Sequence, residues 1–207
     1  MEVLNISKKY KEKYVLTNLS YNFVKGNLYW IKGINGSGKS TFIQCLLGIE
    51  EIDEGYIKNN NKNILYIPEI EITEDWLTIK ENIELIYKFS NISIDDNENL
   101  YKSLNIKDND IDNISKNCST GTNMKVGFSL IYKGKYWDLI IIDEALAHID
   151  IKTQKSIFRE LIKKSNEGCT IIFTNHENIP KEFNEEVTIL NLKGDNIYEL
   201  CEKENSF

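Results

Sequence analysis

Gly33-Ile34-Asn35-Gly36-Ser37-Gly38-Lys39-Ser40 is the stretch of sequence that decides the fold, because its spacing, GxxxxGK followed by Ser or Thr, is typical of a phosphate-binding loop. Glycines let such a loop curl so that successive amides point at phosphate oxygens, and the N-terminus of the next helix adds partial positive charge. Lys39 is then placed to reach the β- and γ-phosphates of a nucleotide, and the Ser40 hydroxyl to ligate Mg²⁺. The alternative is a glycine-rich turn that binds nothing.

The segments on either side of this loop are a predicted strand and a predicted helix. Leu28 to Lys32 is short, apolar and aromatic and lies between two glycines, which is typical of a buried strand. From Thr41 to Gly48, apolar residues recur at intervals of three and four, and Gly48 is a candidate C-cap. The order of strand, loop and helix is the context that a phosphate-binding loop requires, so Thr41 joins the predicted nucleotide-binding residues.

Apolar segments elsewhere predict the rest of a sheet. Ile64 to Ile67 is strand-like and ends at Pro68, and Asp138 to Asp143 is a run of the kind found in a parallel strand covered on both faces. Three further segments are strand-like: Cys169 to Thr174, Val187 to Leu192 and Ile197 to Cys201. Because an amphipathic helix, Thr153 to Lys164, lies between strands, the chain is predicted to be an α/β protein with a mostly parallel sheet.

Residues from about 69 to 117 differ in character from the rest of the chain. They are rich in Asn, Asp, Glu and Lys and carry helical patterns at Ile79 to Phe89 and Leu100 to Leu104. This stretch is therefore predicted to be a helical lobe inserted into the sheet domain.

A second candidate site is the acidic pair Asp143-Glu144 at the end of a predicted strand. Ligands of open parallel sheets bind beyond the carboxyl ends of the strands, so both carboxylates are expected to face the nucleotide. Asp143 would hold Mg²⁺, directly or through water, and Glu144 would act as the general base that polarises the attacking water. The alternative is an exposed acidic pair that caps the following helix.

Between these two motifs lies Cys118-Ser119-Thr120-Gly121-Thr122, which resembles the LSGGQ signature of the ABC ATPase family. The resemblance extends over nearly the whole chain. It implies a P-loop NTPase fold of the ABC ATPase type with an additional antiparallel β portion. Residues 1–207 would form one domain, with 1–68 and 130–207 as the catalytic α/β lobe and about 69–129 as the helical signature lobe. Ser119 and Gly121 would bind the γ-phosphate of ATP held by the opposite subunit, although the same residues also suit a plain helix N-cap.

Four further positions match the family in order, and the resemblance assigns each a role. Tyr10 would stack on adenine, Glu69 would replace the usual glutamine as a Mg²⁺ ligand, Asp150 would span a dimer interface, and His176 would contact the γ-phosphate. Tyr10 is also readable as an ordinary exposed tyrosine, and His176 as a core-filling residue.

The signature also departs from the family pattern. Cys118, Thr120 and Thr122 replace Leu, Gly and Gln, and Thr120 adds a side chain where the backbone should approach phosphate. Ala145 and Ala147 replace a common Pro and Ser. Because the phosphate-binding loop, the acidic pair and His176 persist, we expect an active enzyme in which Lys39, Glu144 and His176 are catalytic.

The resemblance implies the ATP-hydrolysing subunit of an ABC transporter. Two copies, or one copy and a homologous cassette, would pack head to tail, and separate transmembrane permease subunits would carry the cargo. Trp76, Leu77 and Ile79 are candidate permease contacts, unless they form the core of the inserted lobe. Leu77 to Ile83 looks more like export-type cassettes, which favours export. Two alternatives are a non-transport ABC ATPase and a module that senses ATP without turnover.

Composition limits the remaining possibilities. Hydrophobic residues make up 41% of the chain and charged residues 28%, as in folded soluble proteins. The formal net charge of −7 argues against a nucleic-acid partner, which needs basic surface. The four cysteines form no CxxC pair, and neither a signal peptide nor a run of about 18 apolar residues is present. The resemblance implies a cytoplasmic location, peripheral on the inner face of the cell membrane through the permease.

Overall fold

The structure is a computed structural model that describes residues 1–93, 97–133, 136–193 and 196–199. Its strands are β1 Glu2–Tyr10, β2 Lys13–Asn22, β3 Leu28–Lys32, β4 Glu54–Lys58, β5 Ile64–Ile67, β6 Leu139–Asp143, β7 Thr170–Thr174, β8 Thr188–Lys193 and β9 Asn196–Glu199. Its α-helices are α1 Lys39–Leu47, α2 Ile79–Phe89, α3 Asn97–Ser103, α4 Asp108–Ile111, α5 Thr120–Ser129 and α6 Ile151–Asn166. Short 3₁₀ segments cover Ser115–Asn117, Leu130–Tyr132, Ala145–His148 and Lys181–Glu186.

The larger sheet has six strands in the order β5-β6-β7-β3-β8-β9. All neighbours in it are parallel except β8 and β9, which are antiparallel. The prediction of a mostly parallel α/β sheet is therefore confirmed. Because β3, β6 and β7 run side by side in the same direction, the residues that follow them meet at one edge of the sheet.

The two faces of this sheet are both covered, which explains the uninterrupted apolar run of β6. Leu139 and Ile141 pack in one core with residues of α1, whereas Ile140 and Ile142 pack in a second core with residues of α5 and α6. All five residues of β6 are buried. A strand that is covered on both faces needs no polar positions, so alternation is absent from its sequence.

A second sheet is antiparallel, with the order β2-β1-β4. The expected antiparallel portion is thus present, although no strand had been placed in residues 1–22 or 54–58. Bulges interrupt the β1–β2 register between Val3 and Lys9, and Asn5 and Asn18 have positive φ values of 49° and 50°. These interruptions break the alternation by which strands are recognised.

The segment between β5 and β6 is helical, as predicted. Helix α2 has the predicted bounds, whereas the helix expected at Leu100 to Leu104 lies at Asn97–Ser103. The hydroxyl of Tyr87 on α2 donates to the backbone oxygen of Ser129 on α5 over 2.8 Å, which holds the two helices together.

Several predicted bounds shift by a few residues at the other elements. Helix α6 extends beyond the expected range of Thr153 to Lys164 at both ends. Gly48 is the C-cap of α1, as predicted. The final strand ends at Glu199 in the described part of the chain, and Cys201 lies outside it. Among the described residues, no helix combines the length and the apolar character needed to cross a membrane.

Candidate functional site

The predicted phosphate-binding loop joins β3 to α1, and its shape depends on glycine. Gly36 and Gly38 have φ values of 78° and 95°, in the left-handed region that side chains disfavour. A Cβ atom at Gly38 would also lie 3.0 Å from Cγ1 of Val15. Lys39 begins α1, and its ammonium donates to the backbone oxygen of Gly33 over 3.1 Å. The loop therefore wraps around the lysine side chain.

A cavity of about 370 Å³ lies at this edge of the sheet. It is lined by Val15, Asn35, Gly36, Gly38, Lys39, Ser40, Thr41, Glu144 and His176. The structure thus brings most of the predicted loop together with the predicted base, Glu144, and with His176, the predicted γ-phosphate contact. Val15 was not predicted, because it belongs to β2 in the other sheet and nothing in its local sequence indicates a site.

Three predicted loop residues do not line this cavity. The backbone oxygen of Gly33 holds Lys39, and the side chain of Ile34 is 82% exposed at the loop surface. The hydroxyl of Ser37 is buried and has no hydrogen-bond partner among the described residues. A buried hydroxyl without a partner is a cost to the fold unless a ligand or water satisfies it.

The acidic pair lies opposite the loop, at the end of β6. Ser40 Oγ is 3.5 Å from Asp143 Oδ1. Glu144 Oε1 lies 3.7 Å from the Lys39 ammonium, and Glu144 Oε2 lies 2.5 Å from His176 Nε2. Both carboxylate side chains are almost fully buried. The alternative of an exposed acidic pair is therefore wrong for this fold.

The oxygen donors at this position suit a magnesium ion. Mg²⁺ in nucleotide sites is held by one or two carboxylates together with phosphate oxygens and water. Ser40 Oγ and Asp143 Oδ1, which are 3.5 Å apart, supply two hard oxygen ligands. Within the described ranges, no group of three or more His, Cys, Asp or Glu side chains could hold a metal without such help.

Glu69 lies outside this cavity lining and is exposed after β5. Its charge nevertheless acts on the same neighbourhood. Burial raises the pKa of Tyr66, and the negative charges of Asp143 and Glu69 raise it further. The predicted metal-ligand role of Glu69 stays a prediction.

A second cavity, of about 550 Å³, contains the signature-like segment. It is lined by Asn105, Lys107, Asp110, Asn117, Cys118, Ser119, Gly121, Thr122, Lys125, His148 and Asp150. Ser119 is the N-cap of α5, and its hydroxyl accepts a hydrogen bond from the backbone of Thr122 over 3.2 Å. A Cβ atom at Gly121 would lie 2.9 Å from the backbone oxygen of His148, so this close approach requires glycine.

The predicted residues Ser119, Gly121 and Asp150 therefore share one cavity, which has no lining residue in common with the loop cavity. Asp150 is the N-cap of α6 and also contacts Lys125 of α5. Burial by itself would raise the pKa of Asp150, but hydrogen bonds from Lys125 and Thr153 outweigh it and lower the pKa to about 2.

Tyr10 is the last residue of β1 and lies on the hairpin whose other strand contributes Val15. Its side chain is 43% exposed, and the Lys8 ammonium is 5.1 Å from its ring centroid. Tyr10 does not line the loop cavity. Stacking of Tyr10 on adenine stays a prediction.

Comparison with known proteins agrees with this arrangement. The family model described as "ABC transporter" matches residues 16–147. The uncharacterized ABC transporter ATP-binding protein YybJ of Bacillus subtilis is 33% identical over 188 residues, with 85% of each chain covered. The phosphonates import ATP-binding protein PhnC of Fusobacterium nucleatum is 33% identical over 232 residues, which cover 96% of this chain and 90% of that protein.

A solved structure shows the same fold. It is a dimeric ATP-binding cassette in a post-hydrolysis state bound to ADP and Pi, with a TM-score of 0.75 and 23% identity. The match covers 97% of this chain and 98% of that one.

The expectation of export from Leu77 to Ile83 is not supported. PhnC is named for import, and so is the zinc import ATP-binding protein ZnuC of Rickettsia conorii, which is 30% identical over 182 residues covering 86% of this chain and 76% of that protein. The segment has a local structural role instead. Thr78 and Glu81 form a capping box at the start of α2, and the Asn82 amide donates to the backbone oxygens of Leu77 and Thr78. The sequence of this segment is therefore explained by the N-terminal cap of α2.

The family model covers more than half of the chain, and relatives at 33% identity are matched along most of their length. The chain therefore belongs to the ABC transporter family and is one of its ATP-binding ATPase cassettes.

Proposed function

We propose that this chain hydrolyses MgATP in the loop cavity and that this hydrolysis energises uptake through separate membrane subunits. One observation carries the proposal. Lys39, the acidic pair and His176 come from three different parts of the sequence and meet at the carboxyl edge of β3, β6 and β7. A cation for phosphate, oxygen ligands for metal and a carboxylate base are what phosphoryl transfer to water requires.

The residues that hold the nucleotide are those of the loop and the start of α1. The backbone amides of residues 33–41 and the N-terminus of α1 bind phosphate, and Lys39 adds a positive charge. Ser40 and Asp143 would hold Mg²⁺, with Glu69 as a further candidate. Mg²⁺, when bound there, neutralises phosphate charge during transfer.

Glu144 is the general base in this proposal. Its carboxylate lies between Lys39 and His176, and these two contacts restrict its orientation. A carboxylate that is held in place can orient a water molecule and accept its proton. His176 lines the same cavity, where it can also contact the terminal phosphate.

The second cavity is proposed to close on ATP bound to another cassette. Ser119 and Gly121 lie at the N-terminus of α5, which suits an anion, and Asp150 lines the same cavity. The solved dimeric cassette supports pairing of two such chains, either two copies or a copy and a homologue. Tyr10 is the proposed adenine contact. The formal net charge of −7 argues against a nucleic-acid partner, because binding to phosphate backbones needs basic surface.

The proposed permease contact is the surface around Trp76. Trp76 is 72% exposed, and the Lys116 ammonium lies 4.5 Å from its ring centroid. Leu77 is partly buried, and Ile79 is fully buried in the core of the helical lobe. Because Ile79 is buried, it is not available to contact a permease, whereas the exposed side chain of Trp76 is. Association with a permease would make the chain peripheral on the cytoplasmic face of the membrane.

Uptake is proposed as the direction because relatives such as PhnC and ZnuC are named for import. Purification from membranes together with multispanning subunits, followed by reconstitution in vesicles, tests this. ATP supplied on the side that bears the cassette should drive solute away from the opposite side and toward the cassette. Movement in the reverse direction contradicts uptake, and the absence of any membrane subunit favours a non-transport ATPase.

Phosphate release tests the catalytic assignment. Glu144→Gln keeps the size of the side chain and removes its basicity, so turnover should fall about 100-fold or more while ATP binding persists. Glu84→Gln, on an exposed position of α2, is the matched control and should retain turnover. Equal rates for Glu144→Gln and the native chain would rule out Glu144 as the base. A native chain that binds ATP and releases no phosphate, with or without Mg²⁺, would be an ATP sensor.

A further inference from the structure

The side chain of Thr174, at the end of β7, contacts both residues of the acidic pair. Its hydroxyl donates a hydrogen bond to Asp143 Oδ1 over 2.7 Å and accepts one from the backbone N–H of Glu144 over 3.0 Å. Thr174 is 0% exposed. Asp143 and Thr174 are direct partners in the parallel pairing of β6 with β7, so the contact is built into the sheet register.

The first of these hydrogen bonds acts on the carboxylate of Asp143. Asp143 Oδ1 also faces Ser40 Oγ at 3.5 Å, so the oxygen that Thr174 holds is the one turned toward the proposed metal position. The side chain of Thr is β-branched and has few rotamers in a strand, so its hydroxyl is a rigid anchor. Hydrogen bonds of this kind to metal-binding carboxylates orient the ligand and tune its affinity for metal.

The second hydrogen bond acts on the backbone of Glu144. Glu144 has a φ of 54°, in the left-handed region that residues with a Cβ atom disfavour. This turn directs the Glu144 side chain toward Lys39 and His176. Because Thr174 accepts from the N–H of this strained residue, it holds the turn in the conformation that places the carboxylate in the cavity.

We propose that Thr174 is a positioning residue, whose single hydroxyl holds Asp143 for the metal ion and Glu144 for the attacking water. The inference rests on the proposed function, since it assigns Thr174 to the metal and base of that reaction. This role differs from packing in its expected consequence: a hydroxyl that only satisfied buried polar groups would affect stability and leave the Mg²⁺ requirement unchanged.

Two substitutions separate these roles. Thr174→Val keeps the β-branched shape and removes the hydroxyl, whereas Thr174→Ser keeps the hydroxyl and removes the methyl group. The first measurement is the Mg²⁺ concentration that half-saturates the ATP-dependent rise in melting temperature. We expect Thr174→Val to need roughly 10- to 100-fold more Mg²⁺ and Thr174→Ser to stay close to the native requirement.

The second measurement is steady-state ATP hydrolysis at saturating Mg²⁺. For Thr174→Val we expect kcat to fall with little change in KM, because the loop that binds the nucleotide is untouched. Melting temperatures in EDTA without nucleotide report the purely structural cost. A Thr174→Val chain with the native Mg²⁺ requirement and native kcat overturns the proposal, even if it melts at a lower temperature.

If Thr174→Val does not fold, Thr174→Cys replaces it, because a thiol is a weaker hydrogen-bonding group in a similar space. Thr174→Cys should then require more Mg²⁺ than Thr174→Ser, and equal requirements overturn the proposal. Failure of the proposed function has a different signature. In that case Glu144→Gln turns over like the native chain, whereas an inactive Glu144→Gln beside a native-like Thr174→Val contradicts only the role of Thr174.

Discussion

The Lys125 ammonium lies 2.9 Å from Asp150 Oδ2 and thereby joins the helix that begins after Ser119 to the helix that begins after Asp150. The lysine side chain is almost completely buried and also donates to the backbone oxygen of Asn105 over 3.1 Å. The Asp150 carboxylate accepts from the backbone N–H of Thr153 over 2.9 Å as well. One carboxylate therefore caps α6 and neutralises a buried cation, and these two roles can be separated.

Asp150→Asn is predicted to keep the cap and lose the ion pair, because Asn is as good an N-cap as Asp. We expect a loss of about 1 kcal/mol in the free energy of unfolding, since the Asp150 side chain is 44% exposed and solvent screens the pair. Asp150→Ala removes both roles and should cost more. Urea denaturation at pH 7 measures all three chains, with Asp108→Asn on exposed α4 as the control.

The same pair predicts a pH dependence. The pKa of Asp150 is about 2 in the folded chain, below the value of about 3.9 for an unfolded aspartate. A depressed pKa contributes stability that is complete above the unfolded value and is lost as the pH falls toward the folded value. The stability difference between the native chain and Asp150→Asn should be constant from pH 7 to 5 and shrink below pH 4. A difference that is independent of pH would contradict the ion pair.

Two glycines of the phosphate-binding loop should respond differently to alanine. Gly36 has a positive φ and nothing within 4 Å of a Cβ position, so Gly36→Ala should cost about 1 kcal/mol in stability. At Gly38 the added methyl would also meet Val15 and Leu16, so Gly38→Ala should cost about 2–4 kcal/mol. Urea denaturation without nucleotide measures both losses. Equal costs would show that the contact with β2 is unimportant.

Lys39→Met is predicted to weaken ATP binding roughly 10- to 100-fold, because it removes a charge-assisted hydrogen bond to phosphate while its length is nearly kept. Titration calorimetry in the presence of Mg²⁺ measures this loss. Lys80→Met, on the exposed side of α2, is the control and should bind ATP like the native chain. Native affinity in Lys39→Met would remove the lysine from the nucleotide site.

Much of the fold could be predicted because its signals are local. The strands β3, β5 and β6 are short apolar runs ended by Gly, Pro or acidic residues, and helix α2 has regular apolar spacing. The loop glycines and Lys39 are consecutive in the sequence. Their placement against the acidic pair follows from one further rule, that the carboxyl ends of parallel strands meet at one edge.

The rest could not be predicted because its determinants are distant in sequence. Val15 reaches the loop cavity only because the antiparallel sheet packs beside the parallel one, and its strand is interrupted by bulges. Thr174 looks like an ordinary strand residue until the register places it opposite Asp143. The Lys125–Asp150 pair likewise depends on how α5 and α6 approach each other.

The start of α2 supports a final prediction. Thr78 Oγ1 accepts from the N–H of Glu81 over 3.1 Å, and Glu81 Oε2 accepts from the N–H of Thr78 over 2.8 Å. The backbone N–H and the hydroxyl of Thr78 both donate to Glu81 Oε2, and these two hydrogen bonds hold the pKa of Glu81 below its usual value. Thr78→Ala should therefore destabilise the chain by about 1 kcal/mol, whereas Thr78→Ser keeps an equivalent hydroxyl and should stay near native stability.

Hydrogen exchange distinguishes loss of this cap from a general loss of stability. In Thr78→Ala, the amides in the first turn of α2 should exchange faster than in the native chain, while those of the buried strand β6 should change only with global unfolding. Thr78→Ser should restore the slow exchange. If Thr78→Ala exchanges like the native chain throughout α2, capping does not account for the sequence from Leu77 to Ile83, and that segment needs another explanation.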